Sequence, residues 1–174
     1  MKRYVGVTST PIDLKNVVVT ISDENGSNSV EIKFGEGNLT WTRATTNEYR
    51  LDKGNIDTVV AGDDVPMDVS FSGNWDYFKG QGSAITLSDA LHGENSASGW
   101  VSAAASVAGQ ECSPYCVNIG LANTPACSTG ITNPIETMVF PYFRSDSDAY
   151  DVSAGTISVS GKCNATKPTS VRSA

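Results

Sequence analysis

Charge is scarce in this 174-residue chain: 18% of its residues are Asp, Glu, Lys or Arg, and acids outnumber bases 19 to 12. A formal net charge of -7 with no Lys/Arg cluster excludes a protein that grips phosphates, because that grip depends on cations displacing counterions. Histidine is scarcer still. The single one, His92, excludes a His-pair zinc centre and leaves any Ser-His-Asp triad without an accompanying G-x-S-x-G elbow. No Walker sequence is present, and Gly80-Gln81-Gly82 stops short of a dinucleotide fingerprint. Long apolar runs are missing too. Val17 to Val19 falls far below the roughly 20 residues of a spanning helix, and the first 16 residues lack the apolar stretch of a secretory signal. The expectation is a soluble chain with no membrane partner, no cofactor and no catalytic residue.

What the chain does have is alternation. From Val65 to Tyr77, Val65, Met67, Val69, Phe71, Trp75 and Tyr77 share one parity, and Asp68, Ser70, Ser72, Asn74 and Asp76 share the other. A period of two over such a length predicts one long antiparallel strand with a buried and a wet face. Shorter strands are predicted at Val17, Val19, Ile21; at Val30, Ile32, Phe34; at Leu39, Trp41; at Tyr49, Leu51; at Tyr115, Val117, Ile119, Leu121; from Pro134 to Phe143; and from Ala154 to Lys162. Asn25-Gly26 tolerates the positive φ of a hairpin turn and joins the first two. Thr86 to Glu94 breaks the pattern: Ser88 suits an N-cap, Ala90 and Leu91 favour helix, and Gly93 suits the stop, which predicts one short helix. His92 then sits where a helix dipole favours a cation. Residues 94–113, rich in Ser, Ala and Gly around Trp100, read as a loop or flexible insertion. Many short strands with one helix and no internal repeat point to a single all-β domain over 1–174, a sandwich or barrel.

Paired carboxylates at Asp63-Asp64 and at Asp146 with Asp148 could serve a glycosidase or a calcium site, but both fall in turn-like stretches where solvated aspartates are ordinary. The four cysteines, Cys112, Cys116, Cys127 and Cys163, admit disulfides, free thiols or a metal. Only Cys112 and Cys116 have knuckle spacing, and parity turns Cys116 to the side of Asn118 and Cys163 to that of Ile157 and Val159, so no four-thiolate site is expected.

Two stretches, residues 30–78 and 155–169, resemble major tail tube proteins of tailed phages, chiefly those of environmental and cyanobacterial phages. Their order is a strand pair around Gly35-Glu36-Gly37, an aromatic-polar strand, an acidic loop at 61–64 and the long amphipathic strand into Trp75. The resemblance implies a β-sandwich or barrel with a flanking helix, self-assembling into six-membered rings that stack into the tube of a virion tail, put together in the host cytoplasm. It implies as partners the same chain, the tape-measure protein, the terminator, a sheath where the tail contracts, and viral DNA passing without specific binding. Under that reading Asp68, Ser70, Ser72 and Asp76 are the lumen-facing candidates, and an acidic wall repels the DNA. The alternative is another virion or adhesin-like β-sandwich module, which calls for a cluster of exposed aromatics; Trp41, Trp75 and Tyr77 instead share the core parity.

Overall fold

The computed structural model describes residues 17–24, 26–32, 37–74, 77–79, 84–100, 115–123 and 136–172. Its strands are β1 (Val17–Ser22), β2 (Ser29–Ile32), β3 (Leu39–Thr42), β4 (Asn47–Asp52), β5 (Asn55–Ala61), β6 (Met67–Asn74), β7 (Tyr77–Lys79), β8 (Ala84–Thr86), β9 (Val117–Asn123), β10 (Glu136–Asp151), β11 (Thr156–Cys163) and β12 (Thr169–Arg172). A helix, α1 (Leu87–His92), and a 3-10 turn at Asn95–Ala97 follow β8, and the described residues 98–100 are again helical. An eight-stranded antiparallel sheet runs in the order β2-β1-β9-β10-β11-β6-β3, with β12 on β10; β4-β5 and β7-β8 are separate two-stranded sheets.

The order of strands forces the sheet to curl. β2 and β3 are its two edges, yet Ile32 and Leu39 are seven chain steps apart, a reach of at most about 25 Å. In a flat sheet strands six places apart would stand about 29 Å from one another. The edges therefore approach, and β10 is where the sheet turns. Glu136 to Val139 of β10 pair with β9 on one side and β12 on the other, whereas Phe143 to Asp151 pair with β11. Between them the register to β9 jumps from Phe140 to Phe143, and Tyr142 takes a φ of 54°. A bulge of this kind bends a strand and lets it serve two halves of a sandwich. The rings of Trp41 on β3 and Phe140 on β10 lie 5.3 Å apart, so the folded-over edge meets the far half.

Asn118 on β9 holds the corner. Its Oδ1 accepts from the Tyr142 N–H at 3.0 Å, and its Nδ2 donates to the carbonyls of Asp23 and Glu24 at 3.4 and 3.2 Å. The β1-β2 hairpin turn is thereby tied to the β10 bulge. That turn is organised by Asp23, which is fully buried: its Oδ1 accepts from the Ser27 N–H and its Oδ2 from the Asn28 amide, each at 2.8 Å. A carboxylate taken from water needs such partners.

The core runs through both halves. Val19 and Ile21 of β1, Val30 and Ile32 of β2, Met67, Val69 and Phe71 of β6, Val117 and Ile119 of β9, and Ile157 and Val159 of β11 are all buried, as alternation predicts. The strand expected over Val65 to Tyr77 is shorter. β6 ends at Asn74, Tyr77 opens a separate strand, and Trp75 and Asp76 lie outside the described residues. Parity alone does not register a change of pairing partner, and Tyr77–Lys79 pair with β8 instead of β11. The helix is present, but its N-cap is Thr86 and not Ser88: the Thr86 hydroxyl accepts from the Asp89 N–H and the Asp89 carboxylate accepts from the Thr86 N–H, a capping box, while Gly93 closes the helix at φ 65°. Leu87, Ala90 and Leu91 seal the core, and Tyr115 donates to the Ala90 carbonyl at 2.8 Å. The segment expected to be a loop from residue 94 is a correction as well. Ala97 and Trp100 are buried in the core, since one large aromatic suffices to anchor a Ser/Ala-rich stretch; residues 101–113 lie outside the described residues. β10 also outruns its predicted end at Phe143 by continuing to Asp151, taking Asp146 and Asp148 out of the turn assigned to them.

Two consequences are measurable. A methyl group on Gly161 of β11 would come within 2.8 Å of the Phe143 ring and closer still to the Arg144 carbonyl, so Gly161→Ala should lower stability by about 1–3 kcal/mol in denaturant unfolding. Val69→Asp should cost roughly 3 kcal/mol or more by placing an unpaired charge in the core, whereas Ser70→Asp, on the exposed face of the same strand, should leave the melting temperature nearly unchanged.

Candidate assembly surfaces

Three surfaces follow from this architecture. The first is the outer face of β3, β6, β11 and the second half of β10. Cross-strand register lines up Thr40, Ser70, Ser160 and Ser147 in one row, and Ser72, Ser158 and Ala149 in the next. Thr40 Oγ1 and Ser70 Oγ are 2.8 Å apart, and the Ser72 hydroxyl accepts from the Asn38 N–H at 3.2 Å. The flanking row is Thr42, Asp68, Lys162 and Arg144, in which Lys162 Nζ donates to Asp68 Oδ1 at 2.6 Å. The hydrogen bond from Lys162 to Asp68, with the attraction of that carboxylate, holds the ammonium above its ordinary range. Of the residues proposed from sequence, Asp68, Ser70 and Ser72 thus share one surface; Asp76 lies outside the described residues. Asp68 does not present a bare negative charge there, because its cross-strand neighbour is a cation, a pairing that parity within one strand cannot reveal.

The second surface is the β4-β5 hairpin. Sequence reading found β4 but not β5, whose Val59-Val60 step breaks a simple alternation. Lys53 and Gly54, both at positive φ (49° and 86°), make the tight turn, and Asp52 pairs with Asn55 directly across it. Every residue of both strands is exposed. Tyr49 opposes Val59 and Leu51 opposes Ile56, so one face carries apolar side chains that are 52–64% exposed. The third surface is the pair of strands that end the sheet among the described residues, β2 and β3. Trp41 has the inward parity expected of it, but on an edge strand it stays 41% exposed.

The groups that could have carried chemistry do other work. Asp63 and Asp64 are exposed beside β5. Asp148 lies on the inward parity of β10 beneath α1, where His92 Nε2 stands 3.5 Å from its Oδ2. A hydrogen bond with Tyr150, partly opposed by burial and reinforced by His92, holds the Asp148 carboxyl below its usual range. Cys163 is a buried free thiol, facing inward as parity requires, and burial pushes its pKa up to about 12. Cys116 lies apart from the main core, packed on Tyr142, whose N–H is bound by Asn118, so it has the side expected of it; the correction is that this side is covered there, Cys116 being buried and disulfide-bonded, its partner lying outside the described residues. Among the described residues no three His, Cys, Asp or Glu side chains gather in a metal-sized group, and no helix is long and apolar enough to cross a membrane.

No family model and no curated sequence matches the chain. Solved structures do. The sheath/tube terminator of PVC, an extracellular contractile injection system, in its extended state aligns with a TM-score of 0.53 at 14% identity, over 95% of this chain and 99% of that one. A chain of the PVC sheath-tube complex aligns with a TM-score of 0.51 at 13% identity, over 95% of each. The tube-terminating cap of the anti-feeding prophage, AFP, aligns with a TM-score of 0.52 at 14% identity, over 98% of this chain and 97% of that one. The chain therefore has the mainly β tail-tube-type fold that these terminator, sheath-tube and cap structures share nearly end to end.

Proposed function

We propose that the chain is a structural subunit of a tail-like tube, non-enzymatic, that assembles with copies of itself. The observation that carries the proposal is the β4-β5 hairpin with both faces in solvent. An isolated two-stranded hairpin is marginal in water, and one that shows Tyr49, Leu51, Ile56 and Val59 on a single side requires a partner surface to cover them. β2 and β3, which end the sheet among the described residues, offer a second surface, since strand edges are covered or shared in a functional assembly. The end-to-end likeness to tube-terminating proteins supports the same reading. Heterologous contacts of this kind close into a ring when the rotation per subunit allows it. In this proposal the rings have six members and stack into the tube of a phage tail, where the chain meets the tape-measure protein, the terminator and, in a contractile tail, a sheath.

The outer face with Asp68, Ser70 and Ser72 is the proposed lumen wall along which DNA passes during ejection, with Asp76 assigned to it by sequence parity alone. Its hydroxyl rows and its Asp68-Lys162 pair offer few fixed positive charges unpaired, so phosphates find little to hold them. An adhesin-like role is less well supported: Trp41, Tyr49 and Tyr150 are the exposed aromatics among the described residues, and they sit on three separate strands.

Negative-stain microscopy of concentrated protein should show rings or tubes, and Leu51→Asp with Ile56→Asp should abolish them while leaving the monomer's melting temperature within about the shift that surface substitutions cause. A wild-type protein that stays monomeric at high concentration would overturn the proposal. The lumen assignment has its own check. In assembled tubes, Ser70→Cys should react with a small maleimide but resist a maleimide carried on a large polymer; equal reaction with both would place this face outside.

A further inference from the structure

On the half-sheet made by β1, β9, the first part of β10 and β12, cross-strand register sets Val18, Ala122, Thr137 and Val171 in one outward row. The next row is Thr20, Gly120, Val139 and Thr169. The residues of opposite parity, among them Val19, Ile119 and Phe140, are the ones that enter the core. Neither outward row holds an ionisable side chain, and Val18 and Val171 are 39% and 66% exposed.

β9 gives this face its relief. Gly120 and Ala122 form a floor between the larger Val18 and Thr20 on β1 and Thr137 and Val139 on β10. Strands on the two sides of a middle one stand about 10 Å apart, so the floor is a shallow groove one strand wide. Nothing larger than glycine fits at position 120 without moving Thr20, whose hydroxyl would be 2.9 Å from an added Cβ. We propose that this groove receives the apolar side of the β4-β5 hairpin of a second copy of the chain. The docking rests on the self-assembly proposed above and adds to it the face that each hairpin meets.

Shape and charge both select this occupant. Tyr49 and Leu51 are two residues apart on one face of β4, the spacing of Gly120 and Ala122 along the floor, so both side chains can enter along one line. Val59 and Ile56, directly across the hairpin from them, then rest on a wall of the groove. Glu48 and Arg50 take the hairpin's other face. Each copy has a formal net charge of -7, and two such copies approach at least cost where neither presents a carboxylate. A chain does not fill its own groove, because the hairpin's apolar side chains stay exposed in the monomer and pair with no strand of the main sheet. Hairpin and groove are different patches, so the contact is heterologous and repeats from copy to copy.

Val18→Asp with Val171→Asp should abolish the rings or tubes formed by the wild-type protein, while the monomer's melting temperature moves no more than surface substitutions move it. In assembled protein, Leu51→Cys combined with Val171→Cys should be joined between copies by a short bismaleimide, giving a ladder of multimers on denaturing gels. Leu51→Cys combined with Ser70→Cys should give no more cross-linking than the native cysteines do. Tubes that survive Val18→Asp with Val171→Asp, or equal cross-linking by the two cysteine pairs, would overturn the groove and leave the tube reading standing; a wild-type protein that never assembles would overturn both. A monomeric Val171→Cys variant whose thiol resists a small maleimide would also overturn the groove, by showing that the chain's own residues cover it.

Discussion

β10 has to belong to two half-sheets at once, and the rest of the molecule depends on how it does so. A sixteen-residue strand that paired straight along its length would extend one flat sheet. Instead the bulge at Tyr142 lets the first part join β9 and β12 and the second part join β11. Positive φ at a tyrosine is unfavourable by itself, and it persists because Asn118 satisfies the Tyr142 N–H while the flanking Phe140 and Phe143 are fully buried. The same Asn118 reaches the β1-β2 turn, so the corner and the nearest hairpin are set together. Once the corner forms, the edges β2 and β3 come within reach of their short connection, and one core can serve both halves.

That closure also decides which surfaces are left over. The inner parities of β6 and β11 are consumed by the core, leaving an outer face of hydroxyls with one close ion pair. The chain between β3 and β6 has no place in the main sheet, so it projects as the β4-β5 hairpin with its apolar side uncovered. Apolar side chains gathered on one exposed side of a hairpin are the kind of surface that marks an interaction site. The proposed assembly therefore rests on the exposed hairpin, while the likeness to the PVC terminator and the AFP cap is one of fold.

The sequence by itself determined the local features whose physics is local. Alternation in β1, β2, β6, β9 and β11 marked the buried side chains correctly because a period of two fixes which face each residue joins. Asn25-Gly26 announced the first hairpin, and Gly93 the end of the helix, because few residues accept positive φ. The inward orientation of Cys163 followed from the same parity.

Only the tertiary structure decided what depends on distant partners. Asp68 is neutralised by Lys162, 94 positions away and directly across the sheet, so a wall read as acidic carries a paired charge. Asp148 lies under His92 rather than in a turn, because β10 continues past its bulge. Asp23 is buried because the turn it begins folds back on it. Tyr49 and Leu51 show the alternation of a core strand yet stand in solvent. Periodicity reports that a strand has an apolar side; whether that side meets this chain's own core or another molecule is set by the topology that β10 imposes.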